Sequence, residues 1–481
     1  MTAGDEVASR GGWDATGGGD DGGRDGTGVA ARDVVVVGAG MAGLVAARTL
    51  LRHGLRPLVL EASAQVGGLV SGGVVGGREV DLGAEAFALR RPEVRALAEA
   101  LGLAVEVPAG GSWVYSDGRA FPIPAESILG IPADPTAPDV AGVLGPEGAA
   151  RAAADAGLAP SVGADAEDLA SLVRLRMGET VLDRLVRPVA GGIHAADPAD
   201  LAADAVVPGL RAALAAHGAL AAAVRALRAA GPPGSAVATT TGGLFRLPRA
   251  LAGAVTAAGG EIHTGTAVQA LRRNGGAWEL VLDDGAVLRA RRVVLATPGR
   301  PALDLLAGVL EGPLPDLPAG AALTHVTLAV RAPALDAAPR GSGLLVAPGP
   351  GPVRAKALTH ASAKWQWLAA ASAPGEHVLR LSYGRPGEPP TGVDAALAHA
   401  DAELLLGVRL EEVTDAVVVA REGALAPSTP AHREAVTTLQ ARVAELPGLA
   451  VTGTWVAGTG LAAVVPHADA AAEALAGRTV A

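Results

Sequence analysis

The sequence contains no cysteine, and this absence removes a whole set of chemistries. A chain without thiols forms no disulfide, offers no thiolate nucleophile and holds no Cys-ligated zinc ion or iron–sulfur cluster. It also cannot attach a flavin covalently through cysteine. Any redox chemistry therefore requires a cofactor that binds without such a link.

Lysine and aromatic residues are scarce. Of the 39 basic residues only Lys356 and Lys364 are lysine, and 11 of the 481 residues are Phe, Trp or Tyr. Because half of the residues are nevertheless hydrophobic, small aliphatic side chains must fill the core, and a disordered or fibrous chain is excluded. Arginine has replaced lysine almost everywhere, so the two lysines that remain are candidates for specific roles.

The sequence also lacks a net positive charge and long hydrophobic runs. The net charge of −10 argues against a nucleic-acid partner. The longest apolar run, Val34 to Ala47, is too short to span a membrane, so we expect no transmembrane helix, while peripheral membrane contact stays open. Residues 1–32 are rich in Gly and Asp and lack the core of a signal peptide, which predicts a disordered tail and a cytoplasmic protein. The oligomeric state is left open.

A βαβ unit follows this tail. Val34 begins a short run of valines that predicts a buried strand, a glycine turn leads into a helix that ends near His53, and a second strand covers Pro57 to Leu60. The turn has the dinucleotide-binding spacing, with one glycine for the tight turn, one for close approach to a pyrophosphate and one for helix–strand packing. Its residues are Gly38, Ala39, Gly40, Met41, Ala42 and Gly43.

The residues after the second strand favour FAD over NAD. Glu61 ends that strand, followed by Ala62, and its carboxylate can accept hydrogen bonds from ribose hydroxyls. Gly67 and Gly68 form a second glycine pair six residues later, which matches the flavoprotein extension of the motif. A further segment can bring backbone close to the isoalloxazine ring; it comprises Gly83, Ala84, Glu85 and Ala86.

The whole chain has the length of more than one domain, and the fold class is predicted as α/β. We expect a Rossmann-like FAD-binding domain, interleaved with a mixed α+β substrate domain and a helical subdomain. The FAD-binding domain comprises residues 33–90, 235–300 and 449–481, the helical substrate-side subdomain residues 91–234, and the mixed domain residues 301–448. Within them the pattern predicts helices across 145–231, strands from 266 to 296, a last strand at 449–453 and a closing helix near 463–476.

Over residues 33–476 the chain resembles the flavin-dependent porphyrinogen oxidases, specifically the bacterial coproporphyrinogen III oxidase and protoporphyrinogen oxidase group. Several phrases carry the resemblance, in the same order as in the family. They are DLGAEAFALRRP from Asp81, FPIPAESILGIPADP from Phe121, ETVLDRLVRPVAGGIHAADP from Glu179, TGGLFRLPRAL from Thr241, RAKALTHASAKW from Arg354 and LRLSYGR from Leu379.

The resemblance implies a cofactor, a reaction and further contacts. The cofactor is FAD, which carries the chemistry, so we name no catalytic side chain and no metal ligand. The substrate is coproporphyrinogen III, which loses six electrons in three two-electron steps to give coproporphyrin III; O2 is the acceptor and H2O2 the product, as a step of heme biosynthesis. The family's remaining flavin contacts fall on Val268, Gly460, Leu461 and Ala462.

The carboxylates of such a substrate need cations. The candidates are Arg90 and Arg91, directly after the flavin-side segment, with Arg354, Lys356 and Lys364 in one further stretch. His194 stands in a phrase that borders the family's substrate cavity and is a candidate lining residue, although a lone His beside a turn is more often structural.

The chain departs from its relatives at two places. Ala420 to Ser428 lacks the Trp that contacts the flavin in relatives, and Gly458 to Val464 keeps the glycines of a terminal motif but loses its Ile-Pro-Asp. Alternative functions therefore stay open: oxidation of protoporphyrinogen IX, an amine oxidase or carotenoid desaturase activity, or a non-catalytic flavin-binding relative that handles porphyrins.

Overall fold

The computed structural model of the chain describes residues 31–194, 196–230, 236–318, 320–349, 351–385, 388–426 and 429–477. The predicted tail, residues 1–32, lies outside the described residues except for its last two, because the first strand already begins at Arg32.

The described residues form both strands and helices. The strands are β1 (Arg32–Val37), β2 (Pro57–Leu60), β3 (Gly72–Val75), β4 (Arg78–Asp81), β5 (Phe87–Ala88), β6 (Val105–Glu106), β7 (Ser112–Ser116), β8 (Arg119–Pro122), β9 (Ser127–Ile128), β10 (Ile131–Pro132), β11 (Val237–Thr240), β12 (Glu261–His263), β13 (Val268–Asn274), β14 (Ala277–Leu282), β15 (Val287–Leu295), β16 (Ala321–Arg331), β17 (Gly343–Val346), β18 (Ala357–His360), β19 (Glu376–Tyr383), β20 (Glu412–Leu425) and β21 (Leu449–Val451). The helices are α1 (Met41–Arg52), α2 (Glu93–Ala100), α3 (Pro138–Ala153), α4 (Leu169–Met177), α5 (Glu179–Val181), α6 (Arg187–His194), α7 (Ala203–Val206), α8 (Leu210–His217), α9 (Leu220–Ala230), α10 (Arg246–Ala257), α11 (Gly299–Leu306), α12 (Ala361–Lys364), α13 (Gln366–Ala370), α14 (Ala395–Leu406), α15 (Pro430–Ala444), α16 (Thr454–Ala457) and α17 (Leu461–Ala476).

The first sheet contains the predicted βαβ unit. Its strand order is β12-β2-β1-β15-β14-β13, with β21 pairing with the second half of β15. Strands β12, β2, β1, β15 and β21 run parallel, and α1 crosses from β1 to β2. Val34, Val35 and Val36 are completely buried because helices and loops cover both faces of a parallel sheet. The predicted strand, turn, helix and second strand are confirmed.

The second sheet has the order β20-β16-β19-β18-β17-β7-β8 and is antiparallel except between β17 and β7. Leu328, Leu381 and Leu358 lie on one face, in a hydrophobic cluster with helix α14. The opposite face, here called the inner face, contacts the chain segment around β4. By strand register it carries His325, Thr327, Thr359, Arg380, Ser382 and Arg421.

Helices α3 to α9 enclose a hydrophobic cluster of their own. A buried ion pair lies at its edge: Arg176 donates to the Asp155 carboxylate at 2.6 Å and to the carbonyl oxygens of Ala159 and Gly218. Within the described part of the chain, no single helix has both the length and the apolar character to cross a membrane. Helices α8 and α9 reach them only as a pair, which is bent by 118° at the break.

The prediction of a mixed α/β fold is confirmed, as is the helical character of the region before β11. The closing helix begins at Leu461 rather than near residue 463, because Gly460 precedes it with a φ of 100° and ends the loop there. The residue boundaries of the interleaved domains stay a prediction.

Candidate active site

The glycine turn after β1 is tightly packed on one side and open on the other. Gly38 has a φ of 103° and donates to the Leu60 carbonyl at 2.7 Å, and a Cβ on Gly43 would lie 1.8 Å from the Gly38 carbonyl oxygen. Gly40, by contrast, caps α1 with an ordinary φ of −69°, and a Cβ there would meet nothing within 4 Å. Open space therefore adjoins the N-terminus of α1, where unpaired N–H groups and the helix dipole favour an anion.

The Glu61 carboxylate is anchored to this turn. Its Oε2 accepts the Ala39 N–H at 2.7 Å, and its Oε1 accepts the backbone N–H and the hydroxyl of Ser63 at 2.9 and 2.7 Å. Each carboxylate oxygen has two lone pairs, so Oε2, which accepts one bond, keeps capacity for a ribose hydroxyl, whereas Oε1 already accepts two. Ser63 was not identified from the sequence, although a Ser two residues after the acid is a common local partner. Ala62 lies between them and is exposed.

The second glycine pair lies directly against the first. Gly67 donates to the Ala39 carbonyl at 2.8 Å and forms a parallel bridge with Gly40. A Cβ on Gly67 would lie 2.3 Å from the Val70 carbonyl, and one on Gly68 would lie 3.4 Å from the Gly40 Cα. The pair thus extends the open surface of bare backbone that begins at Gly40.

The segment after β4 is held by backbone bonds. Gly83 would place a Cβ 2.0 Å from the Leu69 carbonyl oxygen, and the N–H of Ala84 donates to that same oxygen at 2.9 Å. Asp81, at the start of the segment, accepts the N–H groups of Leu244 and Phe245 at 3.0 and 2.8 Å. Burial raises the pKa of Asp81 to about 7, although these two bonds oppose the shift.

The side chain of Glu85 turns away from solvent into an ion-pair cluster. It contacts Lys364 Nζ at 2.6 Å and Arg380 Nη2 at 3.1 Å, and all three side chains are at least four-fifths buried. Burial alone would raise the pKa of Glu85, but the Arg380 and Lys364 charges lower it to about 2. Any flavin contact of Glu85 would therefore involve its backbone, as it would for the partly buried Ala86.

This cluster changes the interpretation of Lys364. Its ammonium group already has a carboxylate partner inside the protein and also lies 5.0 Å from the Trp365 ring. The sequence offered it as a cation for the substrate, whereas the structure gives it an internal charge to balance. Arg380, which the sequence analysis missed, donates to the Gly83 carbonyl at 2.6 Å as well. A lone arginine inside the apolar strand Val378-Leu379-Arg380-Leu381 was the available signal.

The other predicted cations have no internal carboxylate. Among the residues that the structure describes, the exposed side chains of Arg90 and Arg91 make no hydrogen bond or ion pair. The same holds for the Lys356 side chain, where burial and then the charge of Arg385 lower the pKa to about 8. Arg354 is exposed and donates to the Thr391 carbonyl at 2.7 Å. Of the predicted cations, those without a side-chain partner among the described residues are thus Arg90, Arg91 and Lys356.

The remaining predicted contacts are dispersed over the FAD-side sheet and the last helix. Val268 opens β13 two residues after Thr266, whose N–H donates to the Glu61 carbonyl at 2.8 Å. A Cβ on Gly460 would meet nothing within 4 Å. The next two residues, Leu461 and Ala462, are buried. The backbone of His194 ends α6, and its side chain lies outside the described part of the structure.

His325 is a further polar residue that the sequence analysis missed. It lies on the inner face, and its Nδ1 is 3.4 Å from the Leu82 carbonyl oxygen. Burial and the nearby Arg380 lower the pKa of His325 to about 3, so the ring is neutral near pH 7. A single His inside a strand of apolar and Thr residues gave no distinct signal.

Comparison with known proteins shows which family has this sequence and architecture. The family model of flavin containing amine oxidoreductases matches residues 41–330. A coproporphyrinogen III oxidase from Mycobacterium leprae is 32% identical over 92% of this chain and 98% of its own length, and one from Bacillus subtilis is 26% identical over 92% and 97%.

Solved structures show the same fold. A protein from Exiguobacterium sp. 255-15, assigned as a protoporphyrinogen oxidase, has a TM-score of 0.80 at 24% identity and covers 92% of this chain and 98% of its own. Reduced UDP-galactopyranose mutase has a TM-score of 0.68 at 14% identity, over 94% and 96%. The chain therefore belongs to the family of flavin-containing amine oxidoreductases, in the group that includes the proteins named coproporphyrinogen III oxidase.

Proposed function

We propose that the protein binds FAD and oxidises coproporphyrinogen III to coproporphyrin III, with O2 as acceptor and H2O2 as product. The observation that supports the cofactor is the open backbone surface at Gly40 and Gly68 beside the Glu61 carboxylate. The observation that supports the substrate is the identity of 32% to a coproporphyrinogen III oxidase over nearly the whole chain.

The residues of the glycine turn fit a dinucleotide. A pyrophosphate at the N-terminus of α1 would meet bare backbone at Gly40 and Gly68 rather than side chains. Glu61 Oε2 would accept a hydrogen bond from a ribose hydroxyl with the lone pair that Ala39 leaves free. The same negative charge would repel a phosphorylated ribose, which disfavours NADP.

FAD, when bound, accepts the electrons that the macrocycle loses. The six hydrogen atoms removed from one porphyrinogen reduce three molecules of O2 to three molecules of H2O2. The protein's own task is then to hold the flat macrocycle and neutralise its carboxylates. Arg90 and Arg91 can do so beside the segment of residues 81–87, and Lys356 can do so from the second sheet.

Flavin binding is tested with two glycine variants. Gly40→Leu should fold but purify without yellow colour, because the new side chain enters open space that the pyrophosphate would occupy. Gly253→Leu is the matched control, since Gly253 is an exposed helical glycine whose Cβ would also meet nothing within 4 Å. Full flavin content in Gly40→Leu would refute the cofactor site.

The substrate is tested by anaerobic mixing of the holoprotein with each candidate while flavin absorbance is followed. We expect rapid bleaching with coproporphyrinogen III and a slower response to protoporphyrinogen IX. Rapid bleaching by an amine alone would support an amine oxidase, and no bleaching by any reduced compound would support a non-catalytic porphyrin-handling role.

Charge counting predicts which porphyrinogen is preferred, because coproporphyrinogen carries four propionates and protoporphyrinogen two. Arg91→Ala should raise KM for coproporphyrinogen more than for protoporphyrinogen, and the difference should shrink with added salt because Arg91 is exposed. Arg300→Ala, which removes a surface arginine whose side chain is 86% exposed, is the control and should change neither KM. Equal losses on both substrates would remove the tetracarboxylate hypothesis and leave the flavin assignment standing.

A further inference from the structure

Two buried histidines meet at one end of the second sheet, on the face opposite the inner face. His360 is the last residue of β18 and His377 is the second residue of β19. The Nε2 atom of His360 and the Nδ1 atom of His377 are 3.0 Å apart, and the two residues are 1% and 8% exposed. The proposed function uses neither of them.

The other ring nitrogen of His377 leads to the surface. This Nε2 atom lies 3.1 Å from Oδ1 of Asp336, whose side chain is 49% exposed. The same carboxylate oxygen accepts the Gly375 N–H at 2.8 Å, which holds it in place. The Ser362 hydroxyl accepts the Val378 N–H at 3.1 Å and lies 3.4 Å from His377 Nδ1. The two rings therefore form a chain of hydrogen bonds that ends at an acid.

The partners of these atoms determine where the ring protons lie. A carboxylate can only accept, so Nε2 of His377 carries the proton of the bond to Asp336. In a neutral imidazole the second nitrogen is then an acceptor, and His377 Nδ1 needs a donor. Nε2 of His360 supplies one. Nδ1 of His360 is left without a proton, and it has no hydrogen-bond partner among the described residues.

The opposite tautomer of His360 is unfavourable. It would place two lone pairs 3.0 Å apart between the rings. It would also move the His360 proton to Nδ1, where the described residues offer no acceptor. A buried N–H without an acceptor loses its hydration and gains no hydrogen bond in return. The geometry therefore selects one direction of donation, from His360 to His377 to Asp336.

We propose that His360, His377 and Asp336 form a directed relay of two neutral imidazoles that acts as an acid-sensitive lock between β18, α12 and β19. An added proton has no place in this relay. On Nδ1 of His377 it would face the N–H of His360, and on Nδ1 of His360 it would be a buried, charged N–H without an acceptor. The lock therefore holds while both rings are neutral and must open before either ring becomes charged.

Apart from Asp336, the groups of the described residues that face the two rings carry no charge. The electrostatic influence on His360 comes from His377, and that on His377 comes from Asp336. From α12 the facing group is the Ser362 hydroxyl. The residues opposite the rings on the neighbouring strands, none of which titrates, are Val330, Leu379 and Ser342.

The direction of the pKa shifts agrees with this arrangement. Burial, and then the neighbouring His377, lower the pKa of His360 from 6.5 to about 3. Burial also lowers the pKa of His377, although Asp336 opposes the shift. Because the folded protein then binds fewer protons than the unfolded chain, the stability that the relay contributes is fully present above pH 6.5 and is lost as the pH falls towards 3.

The lock lies directly before the helix that carries Lys364. Helix α12 begins at Ala361, the residue after His360, and ends at Lys364, which contacts Glu85 at 2.6 Å. Acid that opens the relay would therefore also loosen the attachment of the Glu85 cluster. This inference is independent of the proposed function, because it rests only on contacts within the protein.

Ring 15N chemical shifts of the full-length holoprotein, labelled in histidine, test the proton positions directly. These shifts distinguish protonated, bare and charged ring nitrogens, and the variants His360→Gln and His377→Gln identify the two signals. We expect both rings to be neutral with the proton on Nε2 at pH 7, and still neutral at about pH 5, below the ordinary histidine pKa of 6.5. A proton on Nδ1 of either ring, or a charged ring in the folded protein at that pH, overturns the proposal.

The pH dependence of unfolding tests the lock itself. His360→Gln keeps a donor N–H near the position of Nε2 but cannot take up a proton. Each histidine that is neutral when folded and charged when unfolded raises the unfolding constant by up to about tenfold per pH unit below 6.5. In urea titrations of the holoprotein between about pH 6 and 5, the rise per pH unit should be smaller in His360→Gln than in the wild type by up to that factor.

His53→Gln is the matched control. His53 is exposed, so its side chain is in contact with solvent before and after unfolding, and the variant should keep the wild-type pH dependence. If His360→Gln also keeps the wild-type pH dependence, or if both variants change it equally, the proposal is wrong. If His360→Gln does not fold, the ring protonation of the wild-type protein decides alone.

Discussion

The ion-pair cluster of Glu85 gives a prediction whose size follows from burial. Glu85→Gln keeps the shape of the side chain but removes the charge between Lys364 and Arg380, which are 18% and 10% exposed. Two cations are then left in a poorly solvated place without a counter-charge. Breaking a buried ion pair by removing one partner typically costs about 3–5 kcal/mol of unfolding free energy. Because the Gln oxygen can still accept one hydrogen bond, we expect the unfolding free energy to fall by about 3 kcal/mol, the low end of that range.

The matched control is an ion pair of the same length at the surface. Arg174 contacts Glu179 at 2.6 Å, as Lys364 contacts Glu85, but its side chain and that of Glu179 are 45% and 52% exposed. Exposed pairs contribute about 0–1 kcal/mol, so Glu179→Gln should have little effect. Thermal unfolding of both variants, followed by circular dichroism, compares the stability lost from a buried and from an exposed ion pair that have the same N···O distance.

The double variant Glu85→Gln/Lys364→Met separates charge from shape. It removes one of the two uncompensated cations and should recover part of the stability lost in Glu85→Gln. Equal small losses in Glu85→Gln and Glu179→Gln would refute the argument from burial. So would a double variant that is less stable than Glu85→Gln alone.

Three further predictions concern other buried groups. Burial raises the pKa of Asp81 from 3.8 in the unfolded chain to about 7 in the folded protein. The stability that Asp81 contributes is therefore fully present below pH 3.8 and is lost as the pH rises through 7. In melting curves recorded between these two pH values, Asp81→Asn should abolish this pH-dependent loss of stability. Arg176→Met should destabilise the helical layer by about 3–5 kcal/mol, since Asp155 stays buried without its partner, and limited proteolysis should cut that layer first. Gly43→Ala should prevent soluble expression, unlike Gly40→Ala, because its Cβ would lie 1.8 Å from the Gly38 oxygen while that of Gly40 meets nothing.

Local patterns were sufficient to predict the dinucleotide-binding half of the fold. Strand β1, the glycine turn and strand β2 are formed by contacts within 30 residues of sequence. In the structure, each of these elements lies where the sequence pattern predicted it. Gly38 and Gly43 could each be assigned a steric role from spacing alone, and both roles are observed as positive φ and close approach. Such requirements are read from the sequence because they involve only neighbouring backbone.

The partners of charged residues could not be predicted in the same way. Glu85 and Arg380 lie 295 positions apart along the chain and meet only because β4 and the second sheet pack against each other. No local pattern tells whether a cation such as Lys364 will face a substrate or an internal carboxylate. For the same reason Arg90 and Lys356, which the sequence proposed together with Lys364, differ from it only in the structure, where their side chains have no partner among the described residues.

The segment Ala420 to Ser428, in which the sequence predicts a departure from relatives, is described in the structure except for residues 427 and 428. Arg421 stands near the end of β20, and its guanidinium group donates to the Ser71 hydroxyl at 2.5 Å. The Ser71 carbonyl in turn accepts the N–H groups of Leu82 and Gly83 at 2.9 and 3.2 Å. This strand end therefore supports the flavin-side segment from the inner face through a polar contact.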